Sequence, residues 1–183
     1  ILVSQIISVE AVAVYQIFKQ LGLVLSKITM PIFQAIFPEL STMIARGQVR
    51  TAAKTAAKVS VIFMMIASIP VALLGGTSFW WLNVFFGEVF ASYWLVFLAY
   101  LIVRTVASAI APIDPLFVSL GYVRTKFLIS LAVSVVYIGA AYWLCTYFDL
   151  AGIVASYGLQ HFFTFAAMIF VMMNRVELKD QKA

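Results

Sequence analysis

The sequence predicts an all-α, polytopic membrane protein of about five transmembrane helices, and three observations carry that expectation. Apolar residues make up 64% of the 183, aromatics 15% and charged residues only 10%, far more hydrocarbon than a soluble domain of this size can bury. Several apolar runs reach the ~20 residues that a helix needs to cross a hydrocarbon core of about 30 Å. None of them shows the alternation over about ten residues that marks a lipid-facing barrel strand.

In chain order, residues 1–8 read as the end of a truncated preceding span. Five spans follow at 11–37, 55–74, 94–120, 127–148 and 150–173, with a polar tail at 176–183. The segment Ser78-Phe-Trp-Trp-Leu-Asn-Val-Phe-Phe is too short to cross and has the character of a helix lying along the membrane surface. Ala111-Pro-Ile-Asp-Pro interrupts the third span, because each proline removes a backbone donor and kinks the helix. The small residues Ala151, Gly152, Ala155, Ser156 and Gly158 give the last span a surface on which helices can pack closely.

The links differ in charge. Arg46, Arg50, Lys54 and Lys58 lie between the first two spans, Arg124 and Lys126 between the third and fourth, and Arg175, Lys179 and Lys182 after the last. The other two links hold no Lys or Arg, only Glu88 and Asp149. Positive residues gather in cytoplasmic loops, so both basic links and the C-terminus are expected in the cytoplasm. Trp80, Trp81, Trp94, Trp143 and Tyr147 fall on the opposite side, as interfacial anchors do. The start of the first span is then outside, with no initiator Met or signal peptide to send it there. The chain is expected to be the C-terminal part of a longer protein. Its pI near 9.4 follows from topology rather than from nucleic-acid binding, and the Arg50, Lys54 and Lys58 face suits the anionic cytoplasmic leaflet.

Polar residues within the spans are the functional candidates. Gln16, Lys19, Gln20, Lys27 and Gln34 fall on one side of a helix at about 100° per residue. An ammonium in the hydrocarbon layer requires water, a counter-charge or protein around it, although Lys19 is near enough to the outer end to snorkel. Arg104 lies near mid-membrane, Asp114 sits between Pro112 and Pro115, and His161 falls at about the depth of Lys27. Asp114 and His161 are candidates for coupling or gating. Asp114 can also pair with Arg104, and His161 can be an interior hydrogen-bonded residue. No catalytic motif, cofactor loop or metal-ligand set occurs. The single cysteine, Cys145, has no partner for a disulfide within the chain.

The stretches Ala11-Val-Ala-Val-Tyr15-Gln-Ile-Phe-Lys-Gln, Ile36-Phe-Pro38-Glu39-Leu-Ser41, Gly121-Tyr-Val-Arg124-Thr-Lys126 and Phe148-Asp-Leu-Ala-Gly152-Ile-Val-Ala155 resemble the Wzx-type lipid-linked oligosaccharide flippases. That family belongs to the superfamily that also holds the multidrug and toxic compound extrusion (MATE) transporters. In its pattern a span ends at a proline-containing turn before a basic loop. Ala13 stands where the family commonly has Gly, and Leu150 leaves one Gly in the final turn where two are usual.

The resemblance implies most of the C-terminal six-helix lobe of a MATE-like transporter, in a bacterial cytoplasmic (inner) membrane. It implies export or flipping of an undecaprenyl-diphosphate-linked oligosaccharide for O-antigen or related polysaccharide, by alternating access against an N-terminal lobe. A polysaccharide polymerase is a possible partner. Lys27, Arg104 and Lys19 would then face the diphosphate, and Gln16, Gln20 and Gln34 the sugars. The alternatives are a MATE-type drug or cation antiporter, which needs an acid in its cavity, and a scaffold subunit whose polar stripe faces another protein.

Overall fold

The computed structural model describes the backbone of residues 9–180, and the side chains of all of these except residues 9, 24–26, 28–30, 32, 33 and 175–180. The expected preceding span at 1–8 and residues 181–183 of the tail lie outside the described residues. Seven helices occur in order: α1 (Val9–Ala45), α2 (Val49–Gly76), α3 (Ser78–Phe86), α4 (Glu88–Ser92), α5 (Trp94–Ile110), α6 (Ile113–Ser119) and α7 (Val123–Asp180). No strand occurs among the described residues. Three stretches are long and apolar enough to cross a membrane: Val49–Gly76, Trp94–Ser119 and Val123–Asn174.

The 52 residues of the last stretch would reach about 78 Å as a straight helix, more than twice a hydrocarbon core. The chain instead reverses at Asp149, whose φ of 50° and ψ of −130° are non-helical. Beyond that point Gly152 lies against the backbone of Leu144 and Cys145, and Ser156 lies beside the Tyr137 hydroxyl. The sequence separation of these pairs grows away from Asp149, as it does between two antiparallel arms. Asp149 holds a positive φ without being glycine, a conformation that costs about 1–3 kcal/mol. Asp149→Gly should therefore raise stability by about 1 kcal/mol, after allowing for the extra freedom that glycine gives the unfolded chain. A thermal-unfolding midpoint about 2–4 °C higher for the solubilised protein is the expected reading, and a lower midpoint would refute the strain.

The first span was expected to stop at Phe37, but α1 continues through Pro38, Glu39, Leu40 and Ser41 to Ala45. The expected proline turn is helical. Pro38 cannot donate to the backbone, yet Ile36 and Leu40 are buried against α2 and α6, and this packing holds the turn. The chain turns instead at Gly47, with φ 76°. There Gly47 N–H reaches the Ile44 carbonyl at 2.9 Å and Gln48 N–H the Met43 carbonyl at 2.9 Å, the paired bonds of a Schellman cap. Gly121, with φ 87°, closes α6 by the same pair of bonds. At Ala111 and Pro112 the third apolar run breaks into α5 and α6.

On α2 and the first arm of α7 most of the large apolar side chains face outward. α2 buries Ala52, Ala56, Ala67 and Gly75 along with Phe63 and Val71, and turns Ile62, Met65, Ile66, Ile69 and Leu73 outward. The first arm of α7 likewise exposes Phe127, Leu131, Val135, Val136 and Ile138. Small residues inside and large aliphatics outside are the arrangement of helices that pack in lipid.

Two apolar clusters define the ends of the bundle. One joins Ala11, Val14 and Phe18 of α1 to Leu82, Phe97, Leu150 and Ile153. At this end burial, and after it the carboxylates of Asp149 and Glu10, raise the Tyr93 phenol above its ordinary pKa. The other cluster joins Ile36 and Leu40 to Ala52, Ala56 and Leu116, where α1 gives way to the basic link. The surface segment is the nine-residue helix α3. Leu82 is fully buried, Trp81 Nε1 donates to the Leu74 carbonyl at 2.9 Å, and the Trp81 ring meets Phe97 edge-on at 5.5 Å. Phe79, Trp80, Val84 and Phe85 point outward.

Candidate functional site

α1 has two unlike faces. Ala11, Val14, Phe18, Ile36 and Leu40 are buried against the other helices. Gln16, Lys19, Gln20, Lys27 and Gln34 are all exposed. At about 100° per residue the polar set lies roughly 150° around the helix from the buried set. The stripe therefore faces away from the bundle, with both lysines on it.

Arg104 has different surroundings. It is half-buried on α5, and its Nη1 donates to the hydroxyl of Tyr157 on the second arm of α7. The guanidinium carbon lies 6.0 Å from the Tyr157 ring centre, within range of a cation–π contribution. Tyr157 also neighbours Tyr100 at 6.2 Å between ring centres, and Tyr100 meets Tyr15 of α1 edge-on at 6.4 Å. A column of aromatic rings thus links α1, α5 and α7 beside this cation. The structure places Lys19 and Lys27 on the outer face of α1, and Arg104 between α5 and α7.

Asp114 and His161 come together at a second place. Lys126 Nζ donates to Asp114 Oδ2 at 2.6 Å. This ion pair was not expected: Asp114 was weighed as a partner of Arg104, and Lys126 only as a topological charge. The Schellman cap at Gly121 brings the two together, because it reverses the chain between α6 and the start of α7. The pair is partly exposed, with side chains 31% and 40% accessible, so its contribution to stability is modest.

The pair opens onto a cavity of about 250 Å³ whose lining includes Ser130, Ser134, Gln160, His161 and Thr164. Lys126, Ser130 and Ser134 stand four residues apart on the first arm of α7, so they share one face. Gln160, His161 and Thr164 answer them from the second arm. Sequence reasoning missed the two serines and Thr164, although hydroxyls at helical spacing in an apolar arm were a visible signal.

His161 Nδ1 is 3.0 Å from the Tyr157 carbonyl oxygen. A carbonyl has no proton to give, so Nδ1 is the donor, and in the neutral ring Nε2 carries the lone pair. The imidazole also packs on the Tyr157 ring at 4.3 Å between centres. Tyr157 therefore touches both Arg104 and His161. Among the described residues no group of three or more His, Cys, Asp or Glu side chains could hold a metal ion.

No protein-family model, curated protein or solved structure matches the chain.

Proposed function

We propose that the chain is the C-terminal lobe of a Wzx-type flippase. It would carry an undecaprenyl-diphosphate-linked oligosaccharide across a bacterial cytoplasmic membrane by alternating access against an N-terminal lobe. Five crossings are assigned: α1, α2, α5 with α6, and the two arms of α7. The basic links and the C-terminus are placed in the cytoplasm by the positive-inside rule.

The observation that carries this reading is the exposed stripe on α1. Lys27 stands about 4.5 Å along the helix from the midpoint of the proposed 11–37 span, near the centre of the hydrocarbon layer. A lysine facing lipid there costs at least about 2.5–3.5 kcal/mol, so the face is turned toward water or another protein surface. A cleft between two lobes supplies both. Its cations would offset the diphosphate, its glutamines would hydrogen-bond sugars, and the polyprenyl tail would stay in lipid. Asp114 weighs against the antiporter alternative, because its carboxylate is engaged by Lys126.

The test is Lys27→Ala in the full-length protein. Loss of most surface polysaccharide, with the protein present in the membrane at its normal amount, is the expected result. Normal polysaccharide would remove Lys27 from the cargo path.

A further inference from the structure

The face of α2 opposite its packing surface carries three cations that no neighbouring group neutralises. Arg50, Lys54 and Lys58 are exposed and stand four residues apart. None of them has an ion pair or a side-chain hydrogen bond among the described residues. At about 100° per residue they lie opposite Ala52, Ala56, Phe63 and Ala67, which are buried. Ile62, Met65 and Ile69 are exposed and follow Lys58 within about 40° around the helix. The cations therefore continue the apolar stripe that α2 turns toward lipid.

Their depths differ. Gly76 ends α2 just before the surface helix α3 begins. Lys58 stands about 27 Å from Gly76 along the helix, against a hydrocarbon core of about 30 Å, so the two mark opposite boundaries of that core. Lys54 lies about 6 Å further out and Arg50 about 12 Å further out, across a headgroup layer of about 5–8 Å. Side chains on a helix lean toward its N-terminus, which carries Lys58 back toward the level of Lys54. Arg50 is in the first turn, where the helix dipole disfavours a cation, and no acidic residue stands in that turn to offset it. An anion from the membrane would offset all three.

We propose that Arg50, Lys54 and Lys58 bind the headgroup of one anionic phospholipid, whose acyl chains run along Ile62, Met65 and Ile69. Lys54 and Lys58 donate charge-assisted hydrogen bonds to the phosphate. Arg50 lies beyond it, where a choline or ethanolamine head would bring its own ammonium, so a glycerol head is accepted and a zwitterionic one is disfavoured. Snorkelling lysines have no such preference, since water satisfies them. The bound lipid anchors the basic end of α2, and interfacial anchors of this kind set a helix's tilt and rotation. The inference rests on α2 crossing a membrane and not on what the protein carries.

The test places the full-length protein in nanodiscs of phosphatidylcholine and phosphatidylglycerol in equal parts, and counts by native mass spectrometry the lipids that stay on the released protein. One phosphatidylglycerol should stay in preference to phosphatidylcholine. Lys54→Gln with Lys58→Gln should lower that preference about 25-fold, at about fivefold for each cation near a membrane surface. Lys54→Arg with Lys58→Arg should keep it, which separates loss of charge from loss of fold. Arg124→Gln removes an exposed cation from the other basic link and should change the preference less than about twofold, whereas a diffuse pull on the leaflet would weaken about fivefold at either place. The proposal is overturned if the unaltered protein keeps both lipids equally, if the double glutamine variant keeps the preference, or if Arg124→Gln lowers it about fivefold. None of these readings involves transport, so the flippase reading stands or falls separately.

Discussion

Substitution of Gly152 by leucine is expected to remove the protein from the membrane, whereas Gly139→Leu leaves it in place. A Cβ built on Gly152 would fall inside the van der Waals envelope of the Leu144 carbonyl and within 2.8 Å of the Cys145 backbone nitrogen. Both obstacles are main chain, so no rotamer change relieves them. The arms of α7 would have to separate at their closest approach, where Cys145, Leu150, Ile153 and Val154 join the cluster that also holds Phe18 and Phe97. Ordinary overpacking costs about 1–3 kcal/mol. A backbone collision that also opens this cluster belongs with the exceptional substitutions above about 4 kcal/mol. Gly139 lies on the same helix with nothing within 4 Å of its Cβ position, and leucine there only adds to a surface that already exposes Val135, Val136 and Ile138. Membrane abundance of the two variants is the measurement, and a normal level for Gly152→Leu would show that the arms are not packed this closely.

The helical character of the chain, and its stretches long and apolar enough to cross a membrane, were legible because composition and run length report them directly. The break before α6 was legible in Pro112 and Pro115, and the short helix α3 in its length. The end of α1 was not. Proline is a strong local signal, but the helix passes through Pro38 because Ile36 and Leu40 are held by α2 and α6, and no local rule contains that packing.

For the site, the stripe on α1 could be placed on one side by spacing alone. That this side faces away from the bundle depends on where the other helices sit. The partners of the other polar residues were hidden for the same reason. Arg104 meets Tyr157 from 53 positions away. Asp114 meets Lys126 across a turn whose closeness depends on Gly121 adopting a positive φ. His161 meets Tyr157 on its own arm, and shares a cavity with Ser130 and Ser134 only because Asp149 folds the two arms of α7 together. Spacing within one helix reports a face, and pairing between helices requires the topology.

The charge on Lys27 decides between a cargo surface and an assembly surface. If the chain is the proposed flippase lobe, surface polysaccharide made with the full-length protein should follow the charge: largely kept in Lys27→Arg, reduced about ten- to hundredfold in Lys27→Gln, and absent in Lys27→Glu. A charge-assisted hydrogen bond to the diphosphate contributes about 1.5–3 kcal/mol, and each 1.4 kcal/mol is about a factor of ten. Reversal adds repulsion between carboxylate and diphosphate in a low-dielectric cleft, so the glutamate variant must be the worst. Membrane abundance should stay level across the series, since Lys27 lies on the exposed face of α1 and the buried face of that helix is untouched. If Lys27 instead docks against another subunit, abundance falls with the charge and polysaccharide falls only in proportion. Equal polysaccharide in the glutamine and glutamate variants would reject an anionic cargo, because a binding surface for a diphosphate cannot be indifferent to a negative charge placed on it.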